Sequence, residues 1–145
     1  MNNHKNLAVW HKAVALASKV YAATRRFPTE EQFGMNQELR RAAVSVASHI
    51  AQGAARRNSG EFLQCLHRAH GALSELETHI MIAQDQGLLH DVPLSSQDTA
   101  DVARLLHGLI QSLAQARQAA HAKACYYQLP ALRREQRDGQ KGTTQ

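Results

Sequence analysis

At 145 residues, with 43% hydrophobic and 20% charged side chains, the chain is sized for one folded domain with its own core. Seventeen Lys and Arg against twelve Asp and Glu leave a formal charge of +5 and a pI near 9.6, which favours polyanionic partners, nucleic acid first, without naming one. No apolar run reaches the roughly 18 residues of a membrane span. With 24 alanines and only 8 glycines and 3 prolines, the composition leans to helix. Met1-Asn2-Asn3-His4-Lys5 lacks the apolar stretch of a secretory leader, so a cytoplasmic protein is expected. Cys65 and Cys125 fall in helical patterns, in neither a disulfide nor a zinc spacing, and read as free thiols of a reducing compartment.

The first helix is predicted from about Asn6 to Arg25. Leu7, Trp10, Val14, Ala17, Tyr21 and Thr24 form a heptad seam, placing Trp10 and Tyr21 in the core. Val9, Ala13, Leu16 and Val20 widen that stripe beyond what one partner helix covers. Phe27-Pro28 stops the helix, and Thr29-Glu30-Glu31-Gln32 has the form of a capping box around one short turn.

The second helix is predicted over Met35 to Arg56 on the seam Leu39, Ala43, Val46, Ile50 and Gly53, with further alanines that let neighbours approach. Asn58 or Ser59 caps the third helix, which runs from about Gly60 to Gln86 on Phe62, Leu66, Ala69, Leu73, Leu76, Ile80 and Ala83, with Gly87 at C′. Ser95 or Ser96, aided by Asp98 and Asp101, caps a fourth helix on Val102, Leu106, Leu109, Leu113, Ala116 and Ala120, ending near Tyr127. The expected architecture is all-α, an antiparallel up-down four-helix bundle over residues 1–127. A basic, disordered tail is expected at 128–145.

Arg40 and Arg41 open the second helix against its macrodipole and need partners. Folding the second and third helices back about Asn58-Ser59 sets Arg40 level with Glu77 and Arg41 near Glu75. An Arg40–Glu77 ion pair that fixes hairpin register is therefore predicted, and Arg41, pointing further out, is a candidate for an external anion. Lys5, Lys12, Lys19 and Arg26 repeat every seven residues, about 10.5 Å apart on one helical line. Arg25 and His11 broaden the row, and no acid precedes Glu30. This row reads either as a solvated face or as a phosphate-contacting surface, with Arg56, Arg57 and Arg68 as a second cluster near the hairpin turn. Such contacts would give affinity without sequence selectivity.

Catalytic and metal patterns are weak. His67 and His70, or His70 and Glu77, share helical rows, but the Glu-x-x-His pairs of a di-metal bundle and His-Glu-x-x-His are absent, so no metal ligand and no cofactor are named. The Arg-x4–6-His motif of helical ribonucleases is missed by Arg117–His121 and by Arg41–His49. Phosphate loops and nucleophile elbows are missing too, so no enzyme is expected. Tyr126 and Tyr127 are candidates for packing between subunits.

Val9-Trp10-His11-Lys12-Ala13, Phe27-Pro28, Phe33-Gly34-Met35, Leu39-Arg40-Arg41-Ala42-Ala43-Val44-Ser45, Ile50-Ala51-Gln52-Gly53, Glu61-Phe62 and Glu75-Leu76-Glu77 together carry a family resemblance. The chain resembles the ribosomal-RNA intervening-sequence proteins, four-helix bundles related to the accessory variability determinants of diversity-generating retroelements. Gln52 and His49 depart from the glutamate and asparagine usual at these positions and raise the local charge. The resemblance implies a symmetric homopentamer and a non-enzymatic role. In the retroelement branch it also implies binding of RNA or DNA and association with a reverse transcriptase. A scaffold that binds protein rather than nucleic acid is the alternative.

Overall fold

The computed structural model describes the backbone of residues 3–90 and 92–139 and the side chains through Ala124, except at position 91. Among the described residues there are four α-helices and no strand: α1 Ala8–Thr24, α2 Met35–Ala54, α3 Ser59–Asp85 and α4 Ser96–Gly139. α1 packs on α2 and α4, and α3 packs on the same two helices. The core between them is aliphatic, with Leu39, Ile50, Leu66, Leu73, Leu76 and Leu106 fully buried.

The turns form for local chemical reasons. Asn58 accepts a hydrogen bond from the Gly60 N–H at 2.7 Å and caps α3, satisfying a donor that no helical carbonyl reaches. At the other end of α3, Gly87 adopts φ +70°, a left-handed conformation that glycine takes at little cost. The Gly87 N–H bonds Gln84 O and the Leu88 N–H bonds Ala83 O at 2.9 Å each, a complete Schellman stop. Ahead of α4, Asp98 accepts from both the N–H and the hydroxyl of Ser95, so its carboxylate reaches back across the first turn.

α2 and α3 fold back on one another through glycine. A Cβ built on Gly53 would stand 2.6 Å from the Phe62 ring and 2.9 Å from the Cys65 Cβ, so the third helix approaches closer than any side chain permits. The predicted seams of both helices are buried throughout.

α1 differs from its prediction. Its buried residues are Val9, Ala13, Leu16 and Val20, the stripe expected only to widen the seam, together with Thr24, the last seam residue, and Ala23, which belongs to neither. Trp10 and Ala17 are only partly buried, and Val14 and Tyr21 are exposed. A helix with two adjacent apolar stripes can turn either inward, and packing against both α2 and α4 selects the one centred on Ala13 and Leu16. The helix also starts later than predicted. Residues His4–Asn6 form a separate 3-10 turn, and Leu7 is extended at φ −89°, ψ 118°.

α4 exceeds its predicted length. Of the tail expected at 128–145, residues 128–139 continue the helix, and 140–145 lie outside the described residues. Pro130 removes one N–H from the ladder, but Gln128, Leu129, Ala131, Leu132 and Arg133 around it favour helix. The predicted α4 seam is buried at Val102 and Leu106, half-buried at Leu109 and Leu113, and exposed at Ala116 and Ala120. The side chains of Cys125, Tyr126 and Tyr127 lie outside the described residues. Cys65 is a buried free thiol.

Candidate functional site

The candidate cations of α1 do not form one helical line. Lys5 lies in the 3-10 turn before the extended Leu7, and Arg26 lies beyond the last helical residue, Thr24. Lys12 and Lys19 keep the seven-residue spacing, but Lys19 donates to Asp98 of α4 at 2.5 Å. Asp98 is partly buried; burial pushes its carboxyl up, and the bonds from Lys19 and Ser95 outweigh that and hold it below the ordinary range. Lys19 is thus a tie between helices. Among the described residues, Lys5, Lys12, Arg25 and Arg26 are exposed and have no acid within salt-bridge distance.

Arg56, Arg57 and Arg68 are also exposed near the hairpin turn, without an ion-pair partner among the described residues. Arg56 and Arg68 meet along one shallow depression with Glu61, Gln64 and Cys65. Arg117 of α4 reaches the start of α3, its guanidinium 3.2 Å from where a Gly60 Cβ would stand. Arg117 is far from this cluster in sequence and joins it only through the packing of α4 on α3.

The predicted Arg40–Glu77 ion pair is not formed. Arg40 turns toward α1 instead, where its Nε donates to Thr24 Oγ1 at 2.7 Å and its guanidinium stacks 4.5 Å from the Tyr21 ring centre. Glu77 is exposed. A buried hydroxyl oxygen and an aromatic face satisfy Arg40 without the reach to solvent that Glu77 would require. The predicted proximity of Arg41 and Glu75 does hold: Arg41 donates to Glu75 and, at 2.7 Å, to Glu38. Two carboxylates raise the Arg41 pKa, and the Arg41 hydrogen bond lowers that of Glu38. Arg41 is therefore a bridge across the hairpin rather than a cation free for an external anion.

His79 completes this cluster. One ligand atom each from Glu38, Glu75 and His79 lies within 4.8 Å of the other two, and His79 Nδ1 is buried with no hydrogen-bond partner among the described residues. His79, rather than His67 or His70, is the histidine of α3 that meets carboxylates. The i,i+4 spacing of Glu75 and His79 on α3 was the available signal.

The exposed apolar stripe of α1 meets α2 in an open groove of about 590 Å³. Trp10, Val14, Ala17 and Tyr21 line one wall, Val44, Ala47 and Ala51 the other, and His4 and Arg25 are its charged or titratable members. The N-terminal turn is held at this groove, with His11 Nε2 2.6 Å from the Lys5 carbonyl oxygen and the His4 ring edge-on to Trp10 at 4.8 Å.

The description "23S rRNA-intervening sequence protein" matches residues 5–108, from the N-terminal turn to the middle of α4. The chain belongs to this family. The matched span covers the groove apart from His4, the Arg40 and Arg41 contacts and the Arg56–Arg68 cluster. No curated protein matches the chain. No described helix of this intervening-sequence protein is long and apolar enough to cross a membrane.

Proposed function

We propose that this protein is a non-enzymatic, oligomeric up-down four-helix bundle that binds RNA or DNA through basic surfaces, as an accessory to a reverse transcriptase. The observation that carries the reading is the distribution of charge: α1 has no acidic side chain, and Lys12, Arg25, Arg26, Arg56, Arg57 and Arg68 stay exposed and unpaired among the described residues. Cations so placed attract phosphates and release condensed counterions, a source of affinity that ignores base sequence. The reverse-transcriptase partner follows from the resemblance to the retroelement branch. The homopentamer has the same source and is supported by the unfilled α1/α2 groove.

Anisotropy of labelled single- and double-stranded RNA and DNA across a salt series tests the reading. Affinity should fall linearly in log–log form as salt rises. No binding at low ionic strength would overturn it. The second reading, a protein-binding scaffold, is favoured by the groove itself, whose lining is mostly apolar. Oligomerisation with no affinity for nucleic acid would select it.

A further inference from the structure

Phe33 is the most exposed large hydrophobic side chain among the described residues, at 86% of its full accessibility. Its segment is well tied. The Gly34 N–H bonds Glu31 O at 3.1 Å, and the Met35 N–H bonds the Glu31 carboxylate at 3.2 Å. The ring is therefore held outward by a fixed turn. Burying an aromatic side chain of this size is favourable, a gain that the isolated chain forgoes.

We propose that Phe33 of one copy enters the α1/α2 groove of a second copy. The inference rests on the oligomeric part of the proposed function and names the contact that would build it. Small residues, Ala17 on one wall and Ala47 and Ala51 on the other, leave space among the larger Trp10, Tyr21 and Val44. An apolar cavity of about 150 Å³ holds a benzene ring, and the groove at about 590 Å³ has room for a phenyl ring with its flanking backbone. Trp10 and Tyr21 offer edge and face contacts to an entering ring.

Charge fits the same occupant. Phe33 follows Glu30 and Glu31, with no cation in the turn from Thr29 to Gly34. The groove lining carries His4 and Arg25 and no acid. Arg40 and Arg41 line the depression beside Phe33, with Arg41 already bridged to Glu38 and Glu75, so the attraction is between the Glu30–Glu31 turn and Arg25 at the groove. Phe33 is not among the residues that line the groove, so each copy offers its Phe33 knob and its groove at different places. Two copies can exchange both contacts about a two-fold axis, or each can hand one on around a ring or along a filament.

Light scattering on F33E, V44E and their equimolar mixture tests the proposal. Val44 is 43% exposed and Phe33 more so, so both variants should keep wild-type helicity by circular dichroism. The wild type is expected to be a multimer, and each variant alone a single 16.0 kDa chain. The mixture should give a two-chain species, because F33E retains a sound groove and V44E a sound knob. If F33E keeps the wild-type mass while V44E dissociates, the Phe33 contact is wrong and the oligomeric reading survives. Two monomeric variants that ignore one another also overturn the contact. A wild type that stays monomeric at every concentration overturns the oligomeric reading with it.

Discussion

Arg40 of α2 bonds Thr24 of α1, Nε to Oγ1 at 2.7 Å, at the point where α1 ends. Thr24 is 1% exposed and turns its own proton back to the Val20 carbonyl oxygen at 2.9 Å, so its oxygen is free to accept from Arg40. Asn36 also reaches across, donating to the Thr24 carbonyl at 3.3 Å. The end of α1 is thus fastened to the first turns of α2 by polar groups at the edge of an aliphatic core.

Replacing Arg40 should loosen this fastening. The hydrogen bond from a charged donor and the stacking on Tyr21 together suggest a loss of about 1–2 kcal/mol for Arg40→Ala, read as a lower midpoint in urea unfolding. Glu77→Ala should stay within about 0.5 kcal/mol of wild type, since Glu77 is an exposed side chain without an ion-pair partner among the described residues. A larger loss at Glu77 than at Arg40 would restore the ion pair that the sequence suggests.

Gly53→Ala sets two effects against each other. Alanine gains about 0.5–1 kcal/mol over glycine inside a helix. The new methyl would meet the Phe62 ring and the Cys65 Cβ at 2.6 and 2.9 Å, and overpacking of this kind costs about 1–3 kcal/mol. The Cys65 Cβ cannot swing aside, so the steric cost should win and the melting temperature should fall. Gly71→Ala is the control: nothing lies within 4 Å of its Cβ position, and the helix gain should appear alone.

These contrasts show which parts of the fold were legible in the sequence. α2 and α3 each carry one apolar stripe, so periodicity alone identifies their buried faces. α1 carries two stripes, and the choice between them depends on α4, which lies far away in the sequence. Arg40 departs from its expected partner for a related reason. Helical level along the α2–α3 hairpin pointed to Glu77, while the winning partners, Thr24 and Tyr21, sit on a third helix that hairpin geometry does not include. The same reasoning did place Arg41 beside Glu75, where both groups belong to the hairpin. Among the candidate cations, exposure was readable, but the capture of Lys19 by Asp98 required the α1–α4 contact.

The Lys19–Asp98 tie should show in the acid limb of stability. The folded-state pKa of Asp98 lies below its unfolded value of about 3.9, so its contribution is complete above that value and is lost as pH falls through the folded one. Asp98→Asn should therefore lower the melting temperature at pH 7, by an amount equivalent to about 1 kcal/mol for a partly exposed pair. The gap to wild type should close once the pH is below the folded pKa. A gap of constant size down to that pH would mean that Asp98 acts through shape rather than charge.

Lys12 and Lys19 provide the sharpest separation of a phosphate contact from a helix tie. Both stand on α1 one heptad apart, and both substitutions to glutamine remove one positive charge. Lys12 is exposed with no acid within salt-bridge distance among the described residues, whereas Lys19 is held by Asp98. If nucleic acid binds along α1, Lys12→Gln should reduce the slope of log affinity against log salt by about 0.9 on duplex DNA, the value for one phosphate contact. Lys19→Gln should leave that slope unchanged, because engaging a phosphate would first require breaking the bond to Asp98. Equal slope changes for the two variants would mean that the nucleic acid reads the overall charge of the helix and makes no localised contact at Lys12.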